Sequence, residues 1–566
     1  MSYDYQSLRE KLQTKEGKRF YKRVKKAYDK FTRGGKPVMN LSYSDYKLIY
    51  KTGNRTKYDK QFHDRSLRLP YLEVLALGND EYLEDLEEII ASICDEYTWL
   101  IAAHAYAGNE GREEEFDYTR VDLFSSVQAM NFADAYHIFG DKLCKDIRFR
   151  IKDCVKSKVL DFFENRTFWW EREDMGCNWT PVCACGVGIA YMYLFPERFA
   201  LQKNRIFALF TKFLKNSFMD DGACTEGASY YGTGVGYLLY FCDKYKDLYG
   251  EFPAFLNVER MQKIFAYHKN SIVDDWIFPF GDANPRKIDG YGILELQSKK
   301  LFPDYELPDF NFLAKVDLSK SGFYIAMLDC IGEFSLKAKK TSFKQPFSHL
   351  FETAQIFSCK KGDYVLFAKG GNNNEMHNHN DVGAFAFYVG DERIIADIGP
   401  GEYTWAYGED MNARYGEEIF CCGSCGHSVP IVGNIYQTYG ENTSAQLISH
   451  SQNGMKIDIA NAYKLKDTSL TVEFECKDNG ISVLYGYKGE SRAITFRFTS
   501  DFEPKQENGN VWLSNVKLCC DTPYTLSYKQ RKWKIPNEYA SVWVIDFIVD
   551  KSDERQVKFD FLTGEN

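Results

Sequence analysis

The stretch His377-Asn378-His379-Asn380-Asp381-Val382-Gly383-Ala384-Phe385-Ala386-Phe387-Tyr388-Val389-Gly390-Asp391-Glu392-Arg393-Ile394-Ile395-Ala396-Asp397 sets a dense polar cluster directly before a hairpin signature. Phe385, Phe387 and Val389 alternate onto one face, Gly390 and Asp391 punctuate, and the apolar run 393–398 follows. More short runs of this kind continue to the end of the chain, at 364–370, 456–463, 470–476, 493–500, 539–549 and 556–564. Upstream the period changes. From Leu83, the apolar Leu86, Ile89, Ile90 and Ile93 recur at helical spacing with acids between them. Similar stretches lie near 121–139, 143–163, 181–195, 204–218, 234–248 and 258–273, a spacing that predicts stacked helical hairpins. An all-α half therefore precedes an all-β half, with the change near 300–320 at Pro303 and Pro308. Segregated elements imply separate layers or domains, not a parallel α/β sheet. The expected division is a helical domain over 1–310 and an antiparallel β domain over 311–566.

The 566 residues are enough for roughly three to four domains at ~150 residues each, although helical toroids and large sandwiches exceed that size. Hydrophobic residues at 44% and charged residues at 27% exclude disorder, collagen-like repeats and coiled coil as the main architecture. Aromatics at 16% suit either sugar rings or aromatic-rich cores. With 71 basic against 80 acidic residues, the net −9 gives no electrostatic case for nucleic acid or an anionic membrane as partner. Residues 175–196 are charge-free but contain Asn178, Pro181, Gly186 and Gly188, and their apolar part is short for a bilayer, so a buried helix is expected. The N-terminus has no apolar signal core, which predicts a cytoplasmic setting, or a secreted or periplasmic one if a leader was trimmed. The sixteen cysteines, among them Cys177, Cys183, Cys185, Cys421, Cys422, Cys425, Cys519 and Cys520, fit reduced thiols in that setting. Neither a Walker loop nor a G-x-G-x-x-G after a strand is present, so nucleotide chemistry has no support.

Three clusters carry candidate chemistry. In a strand, His377 and His379 point to one side, and two imidazoles together suit a metal site or an acid/base pair. His379, Asp397 and His427 offer two neutral nitrogens and a carboxylate, a set that suits Zn²⁺, against the alternative of three unrelated polar residues. The second cluster runs Asp221-Gly222-Ala223-Cys224-Thr225-Glu226-Gly227-Ala228-Ser229-Tyr230-Tyr231-Gly232, which reads equally as a helix N-terminus with packed tyrosines. The third is Cys177-Asn178-Trp179-Thr180-Pro181, where Asn178 or Thr180 is also a helix cap candidate.

Together with Phe280-Gly281-Asp282 and Arg414-Tyr415…Gly426-His427-Ser428-Val429, these clusters resemble the heparinase II/III-like polysaccharide lyases over most of the chain. Ser428 departs from the His-Asn-Thr-Val phrase common in that family and leaves the histidine in place. The resemblance implies an α+β multidomain fold, an N-terminal (α/α) toroid followed by an antiparallel β-sandwich. It implies a carbon–oxygen lyase that cleaves uronate-containing polysaccharides or oligosaccharides, glycosaminoglycan-like or alginate-like, by β-elimination. Residue by residue, it implies Tyr230 as the catalytic tyrosine, with Tyr231 where members often carry Trp. Asn178 is implied at the uronate carboxylate, with Trp179, Glu226 and Tyr231 also as substrate-binding residues, His377 as the active-site histidine, and Tyr415 as a further catalytic tyrosine. His379, Asp397 and His427 are implied as ligands of a structural zinc. Glu226, four residues before Tyr230, would share its helix face if both lie on one helix, with an orienting or a purely structural role. The oligomeric state stays open, a homodimer being one option.

The chemistry asks for these groups. Removing the C5 proton beside a charged carboxylate needs hydrogen-bond donors that stabilise the dianion as it develops, which suits Asn178 and His377. A tyrosine base needs a lowered pKa or concerted transfer, for which His377 is a candidate cationic neighbour. Two other enzymes compete with this reading. A cupin-like metal site wants a glutamate shortly after the second histidine. A toroid glycoside hydrolase would draw paired carboxylates from Asp221, Glu226, Asp274, Asp275 and Asp282. A carbohydrate-binding or scaffold protein without catalysis is the non-enzymatic alternative.

Overall fold

The computed structural model describes residues 3–33, 35, 38–105, 116–273, 276–283, 292–304, 324–330, 347–404, 407, 414–416, 419–507, 509–535 and 538–564. Helices fill the N-terminal half and antiparallel sheets the C-terminal part. Two compact units form, and they do not follow a single cut in the sequence. Residues 1–217, 231–262 and 289–341 make the first; residues 218–230, 263–288 and 342–566 make the second. Two segments from the helical half thus belong with the sheets. Most of the expected junction at 300–320, and Asp274 and Asp275, lie outside the described residues.

In the first unit, helix Leu83–Cys94 buries Leu86, Ile89, Ile90, Ile93 and Cys94, the face that the spacing marks as apolar. Helix Leu123–Phe139 opens on a capping box, Asp122 accepting from the Phe124 and Ser125 amides while the Ser125 hydroxyl pairs with the Asp122 amide. Helix Trp179–Leu194 accounts for the charge-free stretch: every residue except Trp179 and Tyr193 is buried. A Cβ at Gly186 would lie 2.3 Å from the Ser126 carbonyl oxygen, so only glycine admits this close approach. Among the described residues no helix is long and apolar enough to cross a membrane. Three acids, Asp243, Asp247 and Asp329, cluster in this unit. Lysines compensate them: Asp329 pairs with Lys11 and Lys300 at 2.7 Å each, and Asp243 with Lys300 at 2.7 Å.

In the second unit, a five-stranded antiparallel meander runs Phe347–Phe351, Ile356–Lys361, Tyr364–Lys369, Phe385–Val389 and Glu392–Ile395. The last two strands are the expected hairpin, closed by the pair Val389 and Glu392 with Gly390 at φ 58°. A ten-stranded sheet is built on Gly480–Ser500 paired antiparallel with Glu538–Thr563. The sequence separates 539–549 from 556–564 at the charged run Asp550-Lys551-Ser552-Asp553-Glu554-Arg555, but the structure carries one strand through it. Those side chains stay at the surface while the backbone ladder continues, with register shifts, against Lys488 and Arg492. The run 456–463 is strand only to Asp458 and then turns into the short 3-10 helix Ala460–Tyr463.

One apolar cluster gathers side chains from both sheets. Phe385 meets Phe474 at 5.5 Å and Phe561 at 5.7 Å between ring centroids. On the opposite face of the same strand, Tyr388 is covered by Trp276 at 4.5 Å, so the strand is buried on both sides. Phe498 touches Phe385, Phe547, Phe559 and Phe561 at 5.0 to 5.9 Å. Phe498→Ala is therefore expected to cost about 3–5 kcal/mol. The check is the denaturant midpoint of the sheet unit, and a loss below about 1 kcal/mol would show that this ring is not central to the core.

Candidate active site

The site lies in the second unit and begins with an unusual backbone. Residues 374–383 form turns and bends, so the two histidines do not share a strand face as the sequence reading expects. His377 sits at φ 59°, a left-handed conformation that costs a non-glycine residue energy. The Asp282 amide donates to the His377 carbonyl at 2.9 Å and fixes it there. Gly281, at φ 66°, lies so close that a Cβ would be 2.6 Å from that carbonyl oxygen. The loop is tied further along by the Asn380 amide on the Cys422 carbonyl at 2.8 Å and by the Lys369–Asp381 ion pair.

What brings both imidazoles together is the Asp282 carboxylate. It accepts from His377 Nδ1 at 3.0 Å, His379 Nε2 at 2.9 Å, the Tyr403 hydroxyl at 2.5 Å, the Tyr407 hydroxyl and Arg414 Nη2 at 3.2 Å. Its side chain has no exposure. Burial alone opposes the ionised form, yet His377, His379 and Arg414 hold the carboxyl well below the usual carboxylate range.

Tyr230 closes the set. Its ring stacks on His377 at 3.7 Å between centroids, and its hydroxyl lies 2.7 Å from that of Tyr403. Burial pushes the Tyr230 phenol up, Asp282 adds to this, and the bond to Tyr403 works the other way. In the free protein this phenol is therefore not acidified. Helix Ala228–Tyr249 starts after Glu226, so the helical pairing of Glu226 with Tyr230 does not arise. Glu226 instead places Oε1 3.5 Å from His377 Nε2.

His379, Asp397 and His427 each bring a ligand atom within 4.8 Å of the others, and all three are buried. His427 Nε2 donates to the Cys421 carbonyl at 2.9 Å, and Nδ1 lies 3.1 Å from Asp397 Oδ2. A ring nitrogen facing a carboxylate at that distance holds a proton or a cation between them. His379, with Nε2 given to Asp282, has its Nδ1 buried and without a hydrogen-bond partner. Donor types and spacing fit a small divalent ion with nitrogen and oxygen ligands. Without an ion, burial disfavours a charged His379, but a Cys422 thiolate and Asp282 outweigh it and raise the imidazole to about 10.

The remaining candidates are placed as follows. Tyr415 donates to Asn378 Oδ1 at 3.1 Å and stacks on Tyr439 at 5.0 Å; burial pushes its phenol up to about 12. Asn178, Trp179 and Tyr231 belong to the first unit. Asn178 stands at the N-cap position of helix Trp179–Leu194 without a side-chain cap bond, and the Thr180 hydroxyl goes to the Trp170 carbonyl instead. Trp179 lies between His104 at 4.5 Å and Trp169 at 4.9 Å. Tyr231 is buried. Sequence reading did not find Tyr403, Tyr407 and Arg414 as partners of Asp282. The available signal was the Gly399-Pro400-Gly401 punctuation just before Glu402-Tyr403.

No family model and no characterised protein sequence matches the chain. Among solved structures, heparinase III superposes with a TM-score of 0.64 at 15% identity, covering 93% of this chain and 80% of that one. The heparan sulfate lyase HepC from Pedobacter heparinus gives 0.57 at 13% identity, covering 97% and 88%. The chondroitin AC lyase of Streptomyces coelicolor A3, solved with chondroitin sulphate, gives 0.52 at 9% identity, covering 96% and 83%. At these identities the likeness is one of fold.

The backbone geometry yields a direct test. Gly281→Ala forces a Cβ against the His377 carbonyl at a left-handed φ. A loss of about 1–3 kcal/mol is expected, with His377 displaced. Unchanged stability and an unchanged His377 ring environment by NMR would show that the close approach does not constrain the loop.

Proposed function

We propose that the chain is a polysaccharide lyase that cleaves uronate-containing glycans by β-elimination. Within that reading the helical part is an (α/α) toroid and the two sheets form a β-sandwich. The observation that carries the proposal is the pairing of Tyr230 with His377, phenol on imidazole, beside the buried Asp282 carboxylate, in a chain with the fold of heparinase III.

In the proposed reaction Tyr230 first loses its phenolic proton to solvent, and the C5 proton of the uronate then passes to the phenolate oxygen. The C5–H electron pair becomes the C4–C5 double bond as the C4–O bond breaks, and Tyr230 returns the proton to the departing oxygen. His377, held through Nδ1 by Asp282, offers Nε2 to the substrate carboxylate, where charge grows as the proton leaves. Asn178 and Trp179 keep the substrate-binding roles that the resemblance implies, and Tyr231 the position next to the base. Tyr415 acts through the loop, steadying Asn378 between the two histidines.

His379, Asp397 and His427 would hold Zn²⁺, which supplies a fixed positive centre for these ligands and no bond-breaking. The buried grouping of His379, Asp397 and His427, with ligand atoms within 4.8 Å of one another and His427 Nδ1 facing Asp397, supports that assignment. Paired-carboxylate hydrolysis fits less well. Asp221 is occupied by the Ala223, Thr353 and Ala354 amides, and Asp282 by its five donors. The substrate class is an anionic polysaccharide or oligosaccharide of the glycosaminoglycan or alginate kind.

Incubation with a panel of uronate polysaccharides and oligosaccharides should yield a product with new ultraviolet absorbance from the conjugated double bond. New reducing ends without that absorbance would overturn elimination in favour of hydrolysis. Tyr230→Phe should lower turnover by about 10²–10⁴-fold with the fold intact; near-normal turnover would move the base to another phenol. His427→Ala should lower bound zinc and melting temperature together, and full metal occupancy in that variant would refute the ligand set.

A further inference from the structure

The hydrogen atoms around the two phenols can be assigned one by one. Five side chains direct hydrogen-bond donors at Asp282, and among them the single Tyr403 proton, 2.5 Å from Oδ2, is donated to it. The Tyr403 oxygen then accepts from Tyr230 at 2.7 Å. The chain of donors runs from Tyr230 through Tyr403 to Asp282, and it turns the Tyr230 lone pairs away from Tyr403. A phenolic O–H rotates about its C–O bond, so the same Tyr403 proton can swing to the Tyr230 oxygen once that oxygen carries negative charge.

The residue before Tyr403 is tied to Lys534 through backbone and side chain. The Glu402 amide donates to the Lys534 carbonyl at 2.8 Å, and Lys534 Nζ pairs with Glu402 at 2.6 Å. The Tyr403 ring packs on Tyr407 at 4.6 Å. The groups that face Tyr230 are Asp282, Tyr403, Glu226, Arg414 and His377.

We propose that Tyr403 is a positioning residue for Tyr230. It accepts the Tyr230 proton while that phenol is neutral, and it turns its own O–H onto the Tyr230 oxygen when Tyr230 is ionised. The proposal rests on the reading of Tyr230 as the base. No covalent bond of Tyr403 breaks: the proton removed from C5 goes to Tyr230 and from there to the leaving oxygen, while the Tyr403 proton rotates between Asp282 and Tyr230.

The test compares the pH dependence of kcat for the full-length wild type, Tyr403→Phe, Lys534→Met and Tyr230→Phe on a uronate substrate of the panel. Tyr403→Phe keeps the ring and removes the hydroxyl. The expected result is a rising limb moved to higher pH and kcat near neutrality lower by about 10–100-fold, the worth of a hydrogen bond to a charged group, with KM within about twofold. Lys534→Met loosens the loop from outside the site and should move the limb in the same direction by less, which keeps the test open if Tyr403→Phe folds poorly. If Tyr230→Phe is inactive while neither variant moves the limb, Tyr403 has a structural role and the inference is overturned. If Tyr230→Phe stays active, the base reading itself fails.

Discussion

A carboxylate with no exposed surface forces the structure around it to supply hydrogen. Removing such an ion from water costs several kcal/mol unless donors replace the lost hydration. Asp282 has five: two imidazoles, two phenols and a guanidinium. Each donor is thereby oriented. His377 and His379 point inward although they are not on a strand, and their tautomers follow from which nitrogen Asp282 takes. Tyr403 and Tyr407 stand where the carboxylate needs them, and Tyr230 is then held by Tyr403 and by stacking on His377.

The same residue also acts through its backbone. Its amide holds the His377 carbonyl, and the glycine before it has no side chain to obstruct that approach. His377 stays in a left-handed conformation because the surrounding bonds over-determine it, as strained residues at functional sites usually are. His379, one residue after Asn378, bonds Asp282 and also belongs to the buried group with Asp397 and His427, so it touches both centres.

How much of this the sequence carries depends on range. Helix Leu83–Cys94 is legible because period and burial coincide over twelve residues. The hairpin after Phe385 is legible because Gly390 marks a turn that needs positive φ. Tyr230, His377, His379, Asp397 and His427 sit in short clusters of unusual composition, so they stand out without knowledge of the fold. The role of Asp282 does not, because its partner His377 is 95 residues away and a single acid in Phe-Gly-Asp has no periodic signature. Tyr403 and Arg414 stand in recognisable phrases, but their pairing with Asp282 is equally remote in sequence. The long strand Glu538–Thr563 was misread because a charged run ordinarily marks a turn, whereas here the ladder runs through it with its side chains in water.

The second unit is assembled from three separate pieces of chain, two of them lying between helices of the first. A biosynthetic consequence follows. The phenol at residue 230 and the acid at residue 282 leave the ribosome well before the imidazoles at 377 and 379, and the lysine at 534 that steadies the second phenol comes near the end. Until then the early segments have no sheet to join. For gene recombination, a crossover at the helix-to-strand change would separate the acid from all five of its donors, so exchange of intact halves between relatives would have to carry the interior segments along.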